Sequence, residues 1–359
     1  MEIRELKRSM SKMLDEIREQ PGALEKTLEM EWAGIEKLRA HFEKQRPRFL
    51  VLAARGTSDN AAQFGRYLIE ITTGIPVALA APSVSTLYHA PLSLDGGLVV
   101  AISQSGESTD TNVVLEEAKA QGAFTLGITN EAKSTLARLA HASILVRAGR
   151  EKSVAATKTY TGQLLSFYLL AYALGAPIRR KDLDKLPGYA AAALKLENEI
   201  IARAERYRFM NQAVVVGRGL NYSNAFEWAL KLMETSYVVA ERFSQADILH
   251  GPIAMVDSAI PAFLFCPPGV TWPVMNQLNE RLEGLMAETL MVTDRSNSEA
   301  PAHAIRVPAS LAFKGALPAD VLTPIPYIIP AQMFAAALSV VKGLNPDQPR
   351  GLNKVTKTL

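Results

Sequence analysis

Short runs of consecutive apolar residues alternate along the chain with stretches in which apolar positions recur every three or four, a pattern that predicts strands separated by helices. Phe49-Leu50-Val51-Leu52-Ala53-Ala54 is the first run; it ends at Arg55-Gly56-Thr57-Ser58, and the pattern is then helical through Ile71. Further runs occupy Val77 to Ala81, Leu98 to Ile102, Phe124 to Ile128 and Ser143 to Val146. Runs this apolar read as strands covered on both faces, as in a parallel sheet between helices. A second series begins at Ala213-Val214-Val215-Val216-Gly217-Arg218-Gly219. It continues at Ala262 to Cys266, Leu290 to Thr293 and Ala304 to Val307, with Tyr327 to Lys342 as a closing helix. Its text echoes the first series: Arg55-Gly56 then Asn60-Ala61, against Arg218-Gly219 then Asn224-Ala225. The expected fold class is α/β, with two tandem doubly wound parallel-sheet domains and flanking helices, built by duplication.

The same reading sets expected boundaries. Residues 1–46 form an N-terminal helical segment broken at Pro21, and residues 47–180 form the first sheet domain. Residues 181–206, helical in period and without a strand, link it to a second domain over 207–344. Residues 345–359 hold two prolines and a glycine with little periodicity and read as an extended tail.

Composition narrows the function classes. Nearly half of the 359 residues are hydrophobic, enough for a large core. The net charge of +3 is spread over the chain, which gives no footprint for nucleic acid or an anionic membrane, so the expected partner is a small molecule. Met1-Glu2-Ile3-Arg4-Glu5-Leu6-Lys7-Arg8 lacks the apolar stretch of a signal peptide or membrane span, and a cytoplasmic location is expected. The single cysteine, Cys266, lies in the apolar run Ala262-Phe263-Leu264-Phe265-Cys266 and reads as a core thiol. His41, His89, His141, His250 and His303 are far apart, without the spacing of metal ligands. Gly217-Arg218-Gly219 lacks the third glycine of a dinucleotide fingerprint, so neither a metal nor a cofactor is expected.

In open parallel sheets ligands bind beyond the carboxyl ends of the strands, which directs attention to the loops there. Ser103-Gln104-Ser105-Gly106-Glu107-Ser108-Thr109-Asp110-Thr111 follows an apolar run and leads into a helix beginning near Asp110. Its hydroxyls and the amides of the helix N-terminus suit a phosphate dianion; helix capping is the plainer use of the same residues. Gly56-Thr57-Ser58 follows the neighbouring strand, and Ser153-Val154-Ala155-Ala156-Thr157-Lys158 opens a later helix. Both are candidates to converge on the same anion.

Acid–base candidates lie farther along. Glu227, Lys231 and Glu234 share one face of a helix over Asn224 to Tyr237, set among apolar residues where charges need partners or a task. A solvated charged face is the competing reading. His250, in Asp247-Ile248-Leu249-His250-Gly251-Pro252, has a side chain suited to proton exchange near neutral pH. Spacing alone makes Lys354 an ordinary surface lysine.

These motifs together resemble the SIS (sugar isomerase) family. They resemble the isomerase half of glutamine–fructose-6-phosphate aminotransferases and, more closely, stand-alone SIS-type glucosamine-6-phosphate deaminases. The resemblance spans almost the whole chain. It rests on Glu16-Ile17-Arg18-Glu19-Gln20-Pro21, Ser103-Gln104-Ser105-Gly106-Glu107, Val154-Ala155-Ala156-Thr157-Lys158, Gly217-Arg218-Gly219 with Ala229-Leu230-Lys231-Leu232, His250-Gly251-Pro252 and Asp347-Gln348-Pro349-Arg350. Ala81-Pro82-Ser83-Val84-Ser85, Glu151-Lys152-Ser153 and Leu352-Asn353-Lys354-Val355-Thr356 carry the closer likeness to the deaminases.

The resemblance implies a sugar 6-phosphate substrate held by Ser58, Ser103, Gln104, Ser105 and Ser108, with backbone help near Val154. It implies that Glu234 moves a proton between C1 and C2, that His250 assists ring opening and that Lys354 meets the substrate carbonyl. Gly56, Thr57, Glu227 and Lys231 would be supporting residues. A homodimer with shared active sites is implied, because the histidine loop reaches the neighbouring subunit's site in this family. The expected activity is conversion of glucosamine 6-phosphate to fructose 6-phosphate and ammonia, without glutamine hydrolysis. A galactosamine-6-phosphate deaminase, a fructosamine-6-phosphate deglycase and a non-catalytic sugar-phosphate regulator are the alternatives. Ala156 stands where the aminotransferases have a serine, which removes one hydroxyl from the expected phosphate grip.

Overall fold

The structure is a computed structural model and describes residues 11–352 and Lys354. In chain order its elements are α1 (Lys12–Arg18), α2 (Gln20–Lys44), β1 (Leu50–Ala53), α3 (Thr57–Thr73), β2 (Val77–Leu79), α4 (Ser83–Thr86), β3 (Leu98–Ile102), α5 (Thr109–Ala120), β4 (Phe124–Thr129), α6 (Thr135–Leu139), β5 (Ala142–Leu145) and α7 (Lys158–Ala173). There follow α8 (Arg180–Leu183), α9 (Leu186–Leu194), α10 (Glu197–Arg206), β6 (Gln212–Gly217), α11 (Tyr222–Ser236), β7 (Val239–Ser244), α12 (Gln245–Leu249), β8 (Ala262–Phe265), α13 (Trp272–Gly284), β9 (Thr289–Asp294), β10 (Ile305–Val307) and α14 (Pro324–Val341). They fall into two units. One, the first-sheet unit, holds residues 22–151, 158–185 and Lys354; the other, the second-sheet unit, holds residues 11–21, 152–157 and 186–352.

The first sheet has the order β2-β1-β3-β4-β5, with every pairing parallel. Leu50, Leu52, Val99, Val100, Ala101, Leu126 and Ile128 are wholly buried, as expected of strands covered on both faces. The order reverses between β1 and β3, which pair in register from Leu50↔Leu98 to Ala53↔Ala101. Their carboxyl ends are therefore level, and a crevice between them is where a ligand fits best. On the opposite flank, Glu31 from α2 accepts from the Leu145 amide at 3.0 Å and pairs with Arg147 at 2.7 Å, which ties the helix to β5.

The second sheet has the order β10-β9-β8-β6-β7, again all parallel, and is the same topology read from the other edge. The apolar runs had pointed to four of its strands. The fifth, β7, was missed because Val239-Ala240-Glu241-Arg242-Phe243-Ser244 is half polar and lies at an edge, where alternate side chains face solvent. Gly217 ends β6 with its Cα so close to the next turn that a Cβ there would stand 2.4 Å from the Asn221 carbonyl oxygen. The core is aromatic. Trp228 of α11 stacks on Phe263 at 4.7 Å and meets Phe265 and Phe334 edge-on, fixing α11 against β8 and α14.

Helix α14 begins at Pro324 rather than at Tyr327. Pro324 is already buried and stands at the first helical position, where its missing N–H costs nothing. The helix is long and apolar enough to cross a membrane, yet it is buried almost throughout its length inside the fold, as a core helix is. Ser339 Oγ donates to the Thr235 carbonyl at 2.7 Å, a polar link that fastens α14 to the end of α11. In the second-sheet unit the chain after Asn345 is held at Asp347 and at Arg350. Asp347 accepts from the Lys12 and Met13 amides at 2.8 and 2.9 Å and so caps α1, while Arg350 lies over the Tyr237 ring at 4.1 Å.

Candidate active site

In the first-sheet unit, β3 runs into Ser103-Gln104-Ser105-Gly106-Glu107-Ser108 and then α5. Internal hydrogen bonds hold this loop open. Ser103 Oγ accepts from the Gly106 amide at 3.1 Å, and Ser105 Oγ accepts from the Glu107 amide at 3.3 Å. The Gln104 carbonyl is held by Asn130 N and Thr129 Oγ1, and the Gly106 carbonyl by Leu136 N and Asn112 Nδ2. Gly106 has φ +67°, and a Cβ there would lie 2.2 Å from Ser134 Oγ, so only glycine makes this turn. Glu107 points its carboxylate at the Thr135 amide and hydroxyl, at 2.9 and 2.8 Å, and those bonds hold its carboxyl below the usual range. Ser108 stands at the N-cap of α5 but makes no side-chain capping bond, so its hydroxyl is not used as the plainer capping reading expected.

The neighbouring loop is tied to this one. Arg55, at the end of β1, donates to Asp110 Oδ2 through Nε and Nη2, at 2.9 and 2.7 Å. Asp110 lies in the first turn of α5 and is buried, so the pair clamps the start of α3 to the start of α5. Gly56 takes the N-cap of α3 at φ +57° and offers no side chain, with Thr57 next to it. Ser58 is buried, and its hydroxyl accepts from Gln163 Nε2 at 2.9 Å. The structure thus brings Gly56, Thr57 and Ser58 beside Ser103, Gln104, Ser105 and Ser108, with two helix N-termini starting in adjacent loops. Backbone N–H groups and partial positive charge collect there, which suits an anion.

Lys354 belongs to the same unit. Its Nζ lies 2.9 Å from Glu151 Oε2, and its side chain is three-quarters buried. That corrects the reading from spacing, which made it an ordinary surface lysine. Glu151 itself is wholly buried and also accepts from Thr159 Oγ1 at 2.7 Å and the Thr159 amide at 3.2 Å. Sequence reasoning quoted Glu151 within a motif but gave it no role. Its place between Arg150 and Lys152 looks like a surface charge run.

In the second-sheet unit, α11 carries Glu227, Lys231 and Glu234 on one face. Lys231 Nζ lies 2.5 Å from Glu234 Oε2 and 3.4 Å from Glu227 Oε1. Glu227 and Lys231 are fully buried, whereas Glu234 keeps 23% of its side chain exposed. This is not the solvated face that charge at helical spacing usually makes. One carboxylate balances a buried ammonium from below, and the other is oriented by it toward an open side. Tyr237, in the left-handed region at φ 54°, ends the helix one turn later.

Val154 lies in residues 152–157 of the same unit. Glu16 of α1, nearly buried, accepts from the amides of Lys152 and Ser153, the latter at 3.1 Å, and so fixes the backbone just before Val154. Gln332 Nε2 donates to the Thr157 carbonyl at 3.3 Å at the other end of the segment. The motif containing Glu16 was visible in the sequence, but its structural task was not. His250 caps α12 and is exposed, and no bond joins it to Glu234 or Lys231 among the described residues. Burial pushes the Cys266 thiol well up, in keeping with a core cysteine. Among the described residues no group of three His, Cys, Asp or Glu side chains is arranged to hold a metal ion.

Comparison with known proteins agrees with this geometry. The SIS domain family model matches residues 44–173 and again 208–342. A glutamine–fructose-6-phosphate aminotransferase (isomerizing) from Gloeobacter violaceus is 36% identical over 95% of this chain, and the matched region is 58% of that relative. The chain thus spans little more than half the length of the curated relatives it matches. The C-terminal domain of glucosamine-fructose-6-phosphate aminotransferase from Francisella tularensis superposes with a TM-score of 0.85 at 28% identity, covering 94% of this chain and 98% of that one. A glucosamine-6-phosphate deaminase from Thermotoga maritima shares the fold with a TM-score of 0.78 at 23% identity, covering 97% and 100%. Two family matches, one on each parallel sheet, together with a relative at this identity, place the chain in the SIS domain family.

Proposed function

We propose that the protein is an amino-sugar-phosphate deaminase and isomerase that converts glucosamine 6-phosphate and water to fructose 6-phosphate and ammonia. The observation that carries the reading is the Glu227–Lys231–Glu234 array. A partly exposed carboxylate held at 2.5 Å by a buried ammonium is an oriented base, which proton transfer between adjacent carbons requires. The hydroxyl-rich crevice at the carboxyl ends of β1 and β3 supports a phosphate-bearing substrate. The names of the relatives, aminotransferases and a deaminase of amino-sugar phosphates, support the substrate class.

In this reading Ser58, Ser103, Gln104, Ser105 and Ser108 hold the phosphate, with backbone from Val154. Gly56 and Thr57 shape the loop. The sugar ring opens with help from His250. Glu234 takes the proton from C2 to leave a 1,2-enolamine, then returns it to C1 to give an imine at C2. Lys354 meets the C2 carbon, and water releases ammonia and the ketose. Only protons, water and ammonia are exchanged, so the reaction calls for no cofactor. Binding energy from the phosphate positions C1 and C2, so dephosphorylated glucosamine loses turnover as well as affinity. An exposed histidine without a partner side chain among the described residues suits a homodimer in which each His250 serves the other subunit's substrate.

The test is ammonia release from glucosamine 6-phosphate by the purified protein, with fructose 6-phosphate assayed as product. Galactosamine 6-phosphate and a fructosamine 6-phosphate are run beside it. Turnover of one of these alone moves the specificity and keeps the chemistry. Binding of all three with no turnover makes the chain a sugar-phosphate sensor and sinks the enzyme reading.

A further inference from the structure

We propose that Glu151 is the positioning residue for Lys354: it anchors the amine and takes its proton when the amine attacks the C2 carbon of the substrate. The inference rests on the role given above to Lys354 and assigns the group that makes that role workable. An ammonium has no lone pair. It cannot add to a carbonyl or imine carbon until a base at hydrogen-bond distance has removed a proton.

The geometry supplies that base. Glu151 Oε2 lies 2.9 Å from Lys354 Nζ and 2.7 Å from Thr159 Oγ1, while Oε1 accepts from the Thr159 amide at 3.2 Å. Thr159 is the second residue of the 16-residue helix α7, so the carboxylate sits against a helix N-terminus, where negative charge is favoured. Two bonds from one threonine pin the carboxylate from both sides. With its side chain wholly buried it has no freedom to swing away, whereas Lys354 keeps a quarter of its side chain exposed and is the partner that can move. Lys158, the neighbouring buried amine, donates to the Arg150 carbonyl at 2.8 Å.

The step balances. A proton passes from Lys354 Nζ to Glu151 Oε2, leaving a neutral amine beside a neutral carboxylic acid. The nitrogen lone pair then forms a C–N bond at C2. If C2 is an imine, its nitrogen leaves as ammonia; if it is a ketone, its oxygen leaves as water. The same C2=N–Lys354 linkage results in both cases, and water reverses it to the ketose.

Borohydride trapping of fructose 6-phosphate on the protein, read as the mass of the peptide that contains Lys354, tests the proposal without relying on deamination. The wild type is expected to trap at Lys354. E151Q is expected to trap about a hundredfold more slowly, as loss of a proton-transfer group predicts, while its calorimetric affinity for fructose 6-phosphate stays within about threefold. E151D, which keeps a carboxylate on a shorter stem, should recover most of the loss. Should E151Q fail to fold, T159V decides, because it loosens the carboxylate and keeps its charge; it is expected to trap more slowly than the wild type. Trapping at the wild-type rate in E151Q or, where E151Q does not fold, in T159V overturns the proposal. So does a wild type that traps nothing. A wild type that traps but releases no ammonia from any amino-sugar phosphate sinks the deaminase reading and leaves Glu151 standing.

Discussion

In the first sheet the strands on either side of the order reversal, β1 and β3, end in Gly56-Thr57-Ser58 and Ser103-Gln104-Ser105-Gly106. In the second sheet the corresponding strands, β6 and β8, end in Gly217-Arg218-Gly219 and Cys266-Pro267-Pro268-Gly269. One topology therefore carries two different sets of loop side chains. The first pair of loops is small, hydroxylic and stitched together by Arg55 and Asp110. The second pair is stiffened by two prolines and places a buried thiol where the first has Ser103. Charge in the second unit has moved onto the helix after β6, where Glu227, Lys231 and Glu234 stand. Duplication copied the frame, and the loops and one helix face then diverged: in the proposed function the first unit offers a grip, the second a base. A test that separates grip from base separates the units.

The largest effect is expected at Glu234. E234Q should lower kcat by about a hundredfold to ten-thousandfold, the range for a lost acid–base group, and leave KM for the sugar phosphate within a few-fold. A rise in KM with kcat intact would place Glu234 in the grip and erase the contrast between the units.

Lys231 gives the next effect, on stability as well as rate. In K231M, buried Glu227 and half-buried Glu234 lose their shared cation. Removing one partner of a buried ion pair typically costs about 3–5 kcal/mol, which chemical denaturation would read as a much lower midpoint. An unchanged midpoint would mean that Lys231 serves the reaction alone. A double mutant with E227Q, which removes the stranded charge, should recover part of the loss.

How much of the fold and the site is legible in the sequence depends on what each residue leans on. β1 and β3 of the first sheet could be read because nearly all of their residues are buried, so their text is apolar without interruption. β7 could not, because its Glu241 and Arg242 face outward from an edge. The hydroxyl-rich loop after β3 was legible as a candidate site, and Gly106 was needed for a turn that no other residue makes. The roles of Glu16 and Glu151 were hidden for one shared reason. Each is a carboxylate whose meaning comes from backbone or amine donors elsewhere in the chain, and nothing in its own neighbours announces them. Lys354 was hidden in the same way, by a partner 203 positions away.

A third effect is confined to a pH window. Asp320, in the second-sheet unit, is 2% exposed, its Oδ1 has no hydrogen-bond partner among the described residues, and burial pushes its carboxyl up to about 6. A carboxyl raised in the folded state binds its proton more tightly than in the unfolded chain. Its contribution is therefore fully present below the ordinary value of 3.8 and is lost as pH rises to about 6. A shift of that size is worth roughly 3 kcal/mol at most. D320N should be more stable than the wild type at pH 7–8, and the advantage should vanish near pH 4. An advantage that did not change across that window would rule out titration of Asp320 as its source.

The smallest effects divide the two crevices most directly. S105A removes a hydroxyl from the proposed grip. A hydrogen bond to a charged group is worth about 1.5–3 kcal/mol, so KM should rise roughly tenfold to a hundredfold with little change in kcat. Thr271, at the N-cap of α13, stands where the first unit has Ser108, but it makes no capping bond and its Oγ1 is buried with no hydrogen-bond partner among the described residues. Replacing it by valine removes a polar atom that earns nothing in the fold. T271V should therefore leave KM unchanged and shift stability by less than about 1 kcal/mol, toward greater stability if at all. If T271V instead raised KM as S105A does, the second crevice would hold substrate too, and the division of grip from base would fall.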